Sequence, residues 1–336
     1  MLLAWAGVLA GAGLLYVGAE GLVRGGAALA RRVGLSPLAI GLTVVSLATS
    51  APELGVSLSA ALDGRGAVAV GNVLGSNVAN IGLILGVAAL IAPVAVCGRV
   101  IKTDLPILAV VSAILVAVLW DGAAGRTEGV LLASGLAVYI AFTLYQSRTA
   151  SKNDPLAVQA EEVPGLTRSP WLEAGMVVGG VALLSAGSWC LVTGAVVLAR
   201  AAGLSDAVIG LTVVAFGTSL PELAATGVAA ARGEGDMAVG NVVGSNMFNS
   251  LGIVGVTAAV SPLDLAAAPA DAAVADGTPP AAGAAEAWAV DLGVMLLAAV
   301  LLLPLAYTGA RVGRREGGVL LTLYAAYVAW LFSRGV

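Results

Sequence analysis

Apolar residues run along this chain in stretches of roughly 17 to 25, the length a helix needs to cross the hydrocarbon of a bilayer. Such stretches cover residues 2–23, 37–61, 67–92, 104–120, 127–146, 173–199, 206–230, 236–260, 287–308 and 316–333. The pattern predicts an all-α polytopic membrane protein of ten transmembrane helices, five on each side of a polar interval. That interval, residues 147–170, is polar and contains proline. It is too short for a folded domain and reads as a linker between a first five-helix unit (1–146) and a second (171–336). Residues 261–287 are rich in Ala, Pro and Asp, lack basic residues and read as a second long loop. The first apolar stretch has no basic segment ahead of it and is expected to be a retained helix rather than a signal peptide.

The apolar pattern is interrupted by polar residues in one stretch that occurs twice. Residues 41–86 read GLTVVSLATSAPELGVSLSAALDGRGAVAVGNVLGSNVANIGLILG, and residues 210–255 read GLTVVAFGTSLPELAATGVAAARGEGDMAVGNVVGSNMFNSLGIVG. The copies align without a gap at a constant offset of 169 and about half their positions agree, the mark of an internal repeat. Each copy lies in the second and third helices of a five-helix unit. Because five is odd, the second unit must enter the membrane from the opposite side, which makes the repeats inverted.

Composition narrows the reading. With 59% hydrophobic and 11% charged residues and a mean hydropathy of +0.99, a soluble fold would lack the charged surface it needs. A net charge of -4 with no basic stripe sets nucleic-acid binding aside. There is no histidine, hence no usual neutral-pH proton carrier and none of the commonest transition-metal ligand. Cys97 and Cys190 both lie at or in apolar segments, which argues against a disulfide framework. With the N-terminus outside, twelve of the sixteen Lys and Arg residues fall in inner loops: Arg24, Arg31, Arg32, Arg99, Lys102, Arg148, Lys152, Arg168, Arg232, Arg311, Arg314 and Arg315. Only Arg65, Arg126, Arg200 and Arg334 fall outside, so the charge bias puts both termini outside.

Glu53 and Glu222 stand in the middle of apolar stretches, where an ionisable group is costly and marks a functional site by default. A single buried glutamate could be a protonated structural group, but two at equivalent repeat positions argue for a site. Pro52 and Pro221 precede them. A proline removes a backbone donor and clashes with the carbonyl four residues back, so carbonyls near Ala48 and Gly217 are expected to lose their helix partners. At membrane depth such groups persist only against protein or a wet cavity. Thr49 and Thr218 lie four residues before the glutamates, on the same helix face, with Ser50 and Ser219 beside them. In the next helix of each half a polar stripe recurs every four residues: Asn72, Ser76 and Asn80, then Asn241, Ser245 and Asn249. The pairs Gly71/Gly75 and Gly240/Gly244 are G-x-x-x-G motifs that permit close helix approach. All the donors are oxygens and two are carboxylates, a set suited to Ca2+ or Na+ and poorly suited to zinc or copper.

TS.PEL in one helix and GNV.GSN..N in the next, duplicated in opposed halves, resemble the two alpha-repeats of the cation/calcium exchanger superfamily, the prokaryotic sodium/calcium exchanger type above all. The resemblance implies an antiporter, not an enzyme, exchanging Na+ for Ca2+ by alternating access at a site between the second, third, seventh and eighth helices. It implies Glu53 and Glu222 as central calcium ligands with Thr49 and Thr218 beside them. Ser50, Ser219, Ser76 and Ser245 resemble sodium-site residues, as do the backbone carbonyls at Ser46 and Ala215, and Asn80 resembles the amide on the third helix. Two positions depart from the pattern. Asn249 stands where many relatives have an aspartate, which points away from any potassium co-transport or proton role that depends on that carboxyl, and Ala48 replaces the glycine kept at Gly217. No cofactor, nucleic acid or protein partner is called for; the bilayer and the two transported ions are the expected partners. A calcium/proton exchanger is the nearest rival, since buried glutamates can also carry protons, and a passive cation channel is the rival from another class.

Overall fold

The structure, a computed structural model, describes residues 1–150, 169–203, 215–265, 284–307 and 309–333. In chain order the helices are α1 (Leu2–Arg32), α2 (Pro37–Thr49), α3 (Ala51–Leu62), α4 (Gly66–Ile91), α5 (Val100–Val118), α6 (Arg126–Ala150), α7 (Pro170–Ala201), α8 (Ala215–Thr218), α9 (Leu220–Ala231), α10 (Gly235–Val260), α11 (Ala284–Tyr307) and α12 (Arg314–Ser333). Among the described residues eight are long and apolar enough to cross a membrane; α2 and α3 form a further, broken span bent by 46°. The seventh apolar stretch is described only from Ala215, as α8 and α9. Its first half (204–214), most of the linker (151–168) and most of the long loop (266–283) lie outside the described residues.

The breaks fall where the prolines put them. Ser50 (φ −83°, ψ 4°) separates α2 from α3, and Ser219 (φ −87°, ψ 3°) separates α8 from α9, each two residues before its proline. Pro52 and Pro221 thereby occupy the first turn of a new helix, the one helical position where a missing N–H costs nothing. Wide π turns at Gly41–Val45, Asn80–Ile84 and Phe248–Ile253 interrupt α2, α4 and α10 within the repeated motif. Such turns often occur at functional positions.

α4 and α10 are the most buried spans, and the other long helices surround them. α1 and α7 lie antiparallel along a glycine seam with a seven-residue period. Gly11 abuts Gly187, and Gly18 abuts Gly180, so tightly that a Cβ on Gly18 would stand 2.8 Å from the Gly180 carbonyl oxygen. Gly240 and Gly244 likewise bring α10 against α2: a Cβ on Gly244 would stand 2.7 Å from Leu42 Cα. Gly71 instead faces the Trp288 ring of α11, which a Cβ there would meet at 3.5 Å. Two contacts exchange partners between the halves, since α4 meets α12 where Gly86 faces Gly317, and α10 meets α6 where Gly255 faces Gly129.

Short antiparallel ribbons tie the helix ends. β1 (Val94–Ala95) pairs with β4 (Arg311–Val312), and β2 (Ala123–Ala124) with β3 (Leu263–Asp264). Gly235 also packs on Ala95, and the Ser36 amide donates to Ser147 Oγ, all among loops grouped by the arginine count on one side. Gly66 packs on Asp264, and Ser261 Oγ donates to the Ala61 carbonyl, all among loops grouped on the other. The periphery is apolar: Leu2, Leu3, Leu9, Val110, Leu131, Val138 and Leu297 are exposed. Trp120, Tyr145, Trp171 and Tyr307 are exposed near helix ends, where amphipathic rings suit a lipid–water interface.

Candidate cation site

Each break does more than bend a helix. Glu53 is the third residue of α3 and Glu222 the third of α9, so both carboxylates sit in a first turn, where unpaired backbone N–H groups favour negative charge. Both side chains are buried, with 1% and 2% of their surface exposed. The hydroxyl at each break reaches across to the other half. Ser50 Oγ donates to Glu222 Oε1 at 3.0 Å, and Ser219 Oγ donates to Glu53 Oε1 at 3.4 Å.

A second layer of amides braces these helices. Asn72 Nδ2 donates to the Glu53 carbonyl oxygen at 3.2 Å and to Ser57 Oγ at 3.0 Å, tying α4 to α3. Asn241 Nδ2 donates to Thr226 Oγ1 at 2.9 Å, tying α10 to α9 in the same way. Further along, Asn80 Nδ2 donates to Asn246 Oδ1 at 3.0 Å, and Asn77 Nδ2 to Ser250 Oγ at 2.9 Å. α4 and α10 are thus joined at their wide turns.

What these bonds leave over is mostly acceptors. Glu53 Oε2, Glu222 Oε2, Asn80 Oδ1 and Asn249 Oδ1 are buried without a hydrogen-bond donor, and Ser245 Oγ is buried without a partner. Orphaned buried polar atoms of this kind are costly unless something satisfies them. Carboxylate, amide and hydroxyl oxygens together are what a hard cation binds. Among the described residues no three His, Cys, Asp or Glu side chains cluster, so two carboxylates with neutral oxygens remain the donor set. Two other buried acids are engaged elsewhere, Asp104 Oδ1 accepting from Tyr139 at 3.3 Å and Glu173 pairing with Arg32, while Oδ1 of the half-buried Asp291 accepts from Tyr327 at 2.9 Å.

The expected site residues therefore divide. Glu53, Glu222, Ser50 and Ser219 come together directly, while Ser76, Ser245, Asn80 and Asn249 are buried on α4 and α10. Thr218 ends α8 and is half-buried. Thr49 departs from expectation. The break at Ser50 turns it from Glu53, and its hydroxyl lies 3.3 Å from Asn241 Oδ1 and beside the Glu222 carboxylate. The Gly217 carbonyl is freed as expected, yet it accepts from Ser188 Oγ of α7 at 2.6 Å, so a neighbouring helix satisfies it. The Ser46 carbonyl accepts from the Ser50 amide at 3.0 Å.

Sequence reasoning passed over Ser57 and Thr226, although each lies one helical turn beyond a glutamate. It also left Asn77, Asn246 and Ser250 unassigned. The asparagines belong to the repeated GSN motif but lie off the four-residue stripe, and only the pairing of α4 with α10 brings them inward.

Comparison with known proteins follows the same division of the chain. The family described as sodium/calcium exchanger protein matches residues 3–146 and 172–333. The putative antiporter CaxA of Alkalimonas amylolytica is 40% identical over 99% of this chain and 100% of its own. The inner membrane protein YrbG of Escherichia coli K12 is 35% identical over 98% of this chain and 96% of its own. A structure of the sodium–calcium exchanger NCX_Mj soaked with Na+ and Ca2+ superposes with a TM-score of 0.80 at 30% identity, covering 98% of each chain.

Proposed function

Because this chain belongs to the sodium/calcium exchanger protein family, and is thus a multi-pass membrane transporter, we propose that it exchanges Na+ for Ca2+ across the cell (inner) membrane by alternating access. The observation that carries the reading is the reciprocal pair of bonds Ser50–Glu222 and Ser219–Glu53, which sets two carboxylates from opposite halves in one buried oxygen-lined place. The proposed ion ligands are Glu53, Glu222, Thr49, Thr218, Ser50, Ser219, Ser76, Ser245, Asn80 and Asn249.

The frame for this activity is ten transmembrane helices in two inverted five-helix repeats, 1–146 and 171–336, joined by the cytoplasmic linker 147–170. The antiparallel α1–α7 seam and the exchanged α4–α12 and α10–α6 contacts support it, since equivalent residues meet in both directions. Inverted repeats with broken helices at the midplane are the architecture of secondary transporters. Both termini lie outside in this reading. Cysteines placed in 266–283 should then react with impermeant thiol reagents from outside and those in 147–170 should not; the reverse result would invert the orientation. Burial pushes the native Cys97 thiol above its ordinary pKa, which keeps its background labelling low.

Two ionised carboxylates and neutral amides at Asn80 and Asn249 give the site a charge of minus two. One Ca2+ neutralises it, whereas three Na+, the number the resemblance suggests, leave plus one, so exchange is electrogenic. Each net charge is worth about 2.3 kcal/mol per 100 mV. An inside-negative potential should therefore slow calcium uptake into sodium-loaded vesicles. Potassium is not required, because the position that would supply a third carboxylate is the amide Asn249. Radiolabelled calcium uptake into proteoliposomes loaded with sodium, lithium, potassium or choline tests the whole reading. Uptake driven only by sodium supports it, uptake driven by a pH gradient without sodium makes the protein a calcium/proton exchanger, and current without a counter-ion makes it a channel.

A further inference from the structure

An amide can serve a cation only through its oxygen. Its other end is an NH2 that carries partial positive charge and repels a metal ion, and the two ends are nearly the same size. A buried asparagine ligand therefore needs something to decide which end faces the ion. Asn80 is 1% exposed, and its NH2 is committed to Asn246 Oδ1 at 3.0 Å. Its own Oδ1 is buried and accepts nothing. Asn246 is 1% exposed on α10, in the half opposite the asparagine it contacts, and its own Nδ2 is buried without an acceptor, so the bond to Asn80 is what orients both amides.

We propose that Asn246 is a positioning residue for the exchange reaction: by holding the Asn80 NH2 it turns the Asn80 carbonyl oxygen to the cation. This rests on the sodium/calcium exchange reading, and it assigns a task to a residue that itself touches no ion. The bond runs from the wide turn of α4, which begins at Asn80, to the residue two before the wide turn of α10. A π turn displaces the side chains that follow it relative to an α-helix, so an asparagine at its edge needs a partner outside its own helix to hold its amide. The other half does not copy the arrangement. Asn77, the repeat equivalent of Asn246, gives its NH2 to Ser250 Oγ at 2.9 Å and to Met295 Sδ at 3.5 Å. Oriented support is therefore unequal, and Asn80 depends on α10.

Three variants test it in purified, detergent-solubilised protein by calcium titration, with transport measured alongside. Asn246→Leu keeps the volume and removes the acceptor. Loss of a residue that orients a metal ligand typically costs about 10- to 100-fold in metal affinity, so the calcium dissociation constant and the transport KM should rise by that factor. The rate at saturating calcium should change far less. Asn246→Asp retains an acceptor for the Asn80 NH2 and should stay within a few-fold of the parent. In an Asn80→Asp background the two carboxylate oxygens are equivalent and need no orienting, so adding Asn246→Leu should cost little more, a non-additivity that mere loosening of the helix contact would not produce. Should the leucine variant not insert, Asn246→Ser, whose hydroxyl is too short for the same contact, takes its place with the same expectation. Unchanged affinity in Asn246→Leu, or an equal loss in both backgrounds, overturns the proposal. Glu53→Gln is the control: if it too binds calcium normally, the site reading itself fails, and if only Glu53→Gln loses binding, the fault lies with Asn246 alone.

Discussion

The two halves of this molecule agree in one place and differ in another. Around the glutamates they agree residue for residue: Ser50 and Ser219 cross to opposite carboxylates, and Asn72 and Asn241 brace equivalent hydroxyls. At the ends of the α1–α7 pair they do not. On one side Arg32 grips Glu173 at 2.7 and 2.9 Å, and Glu20 joins both Arg24 and Arg232. The repeat equivalents of Arg32, Glu173, Glu20 and Arg232 are Ala201, Ala4, Trp189 and Asp63, which offer no matching ion pairs. Symmetry is kept around the buried carboxylates, where the proposed exchange needs equivalent ligands in both halves, and it lapses at the helix ends.

The largest effect should come from breaking the agreement at its centre. Glu53→Gln and Glu222→Gln each keep shape and remove one charge from the proposed divalent site, so each should abolish sodium-driven calcium uptake almost completely while the protein inserts normally. Wild-type exchange in either would break the equivalence of the halves. Next come the seam glycines. Gly18→Val and Gly187→Val put branched side chains where backbones touch, and overpacking costs about 1–3 kcal/mol or more. The two should lower the thermal melting point in detergent by similar amounts, because Gly18 and Gly187 are repeat equivalents and the glycines they face, Gly180 and Gly11, are equivalents in turn. A smaller change is expected from Asn249→Asp, which adds a third carboxylate to one half only. Calcium uptake should then become sensitive to potassium or to pH, measured by varying each at fixed sodium. The smallest belongs to the unequal ends. Glu20→Gln breaks two partly exposed ion pairs, each worth at most about 1 kcal/mol, and its melting point should fall by a few degrees at most, less in high salt.

Much of the architecture was legible without coordinates. Eight of the apolar stretches found a long helix and the second a broken one, while the seventh is described only from Ala215; the prolines marked both breaks, and the arginine count grouped the loops as the β1–β4 and β2–β3 ribbons do. Helix ends were less legible. α1 runs to Arg32 and α7 to Ala201, beyond their apolar stretches, because Ala-rich ends continue a helix past the hydrocarbon without adding to the pattern.

The sequence by itself determined the class of the protein, the duplication and the identity of the two glutamates, because lipid penalises every polar group and so makes each exception visible along the chain. Only the tertiary structure decided which buried oxygens stay unpaired. Thr49 follows the turn at Ser50 to the other half, the Gly217 carbonyl goes to Ser188, and Asn80 gives its NH2 to Asn246. Those bonds join residues from 29 to 192 positions apart. Spacing along one helix fixes the face a side chain occupies, but whether its oxygen stays free depends on which donor the opposite helix brings within about 3 Å.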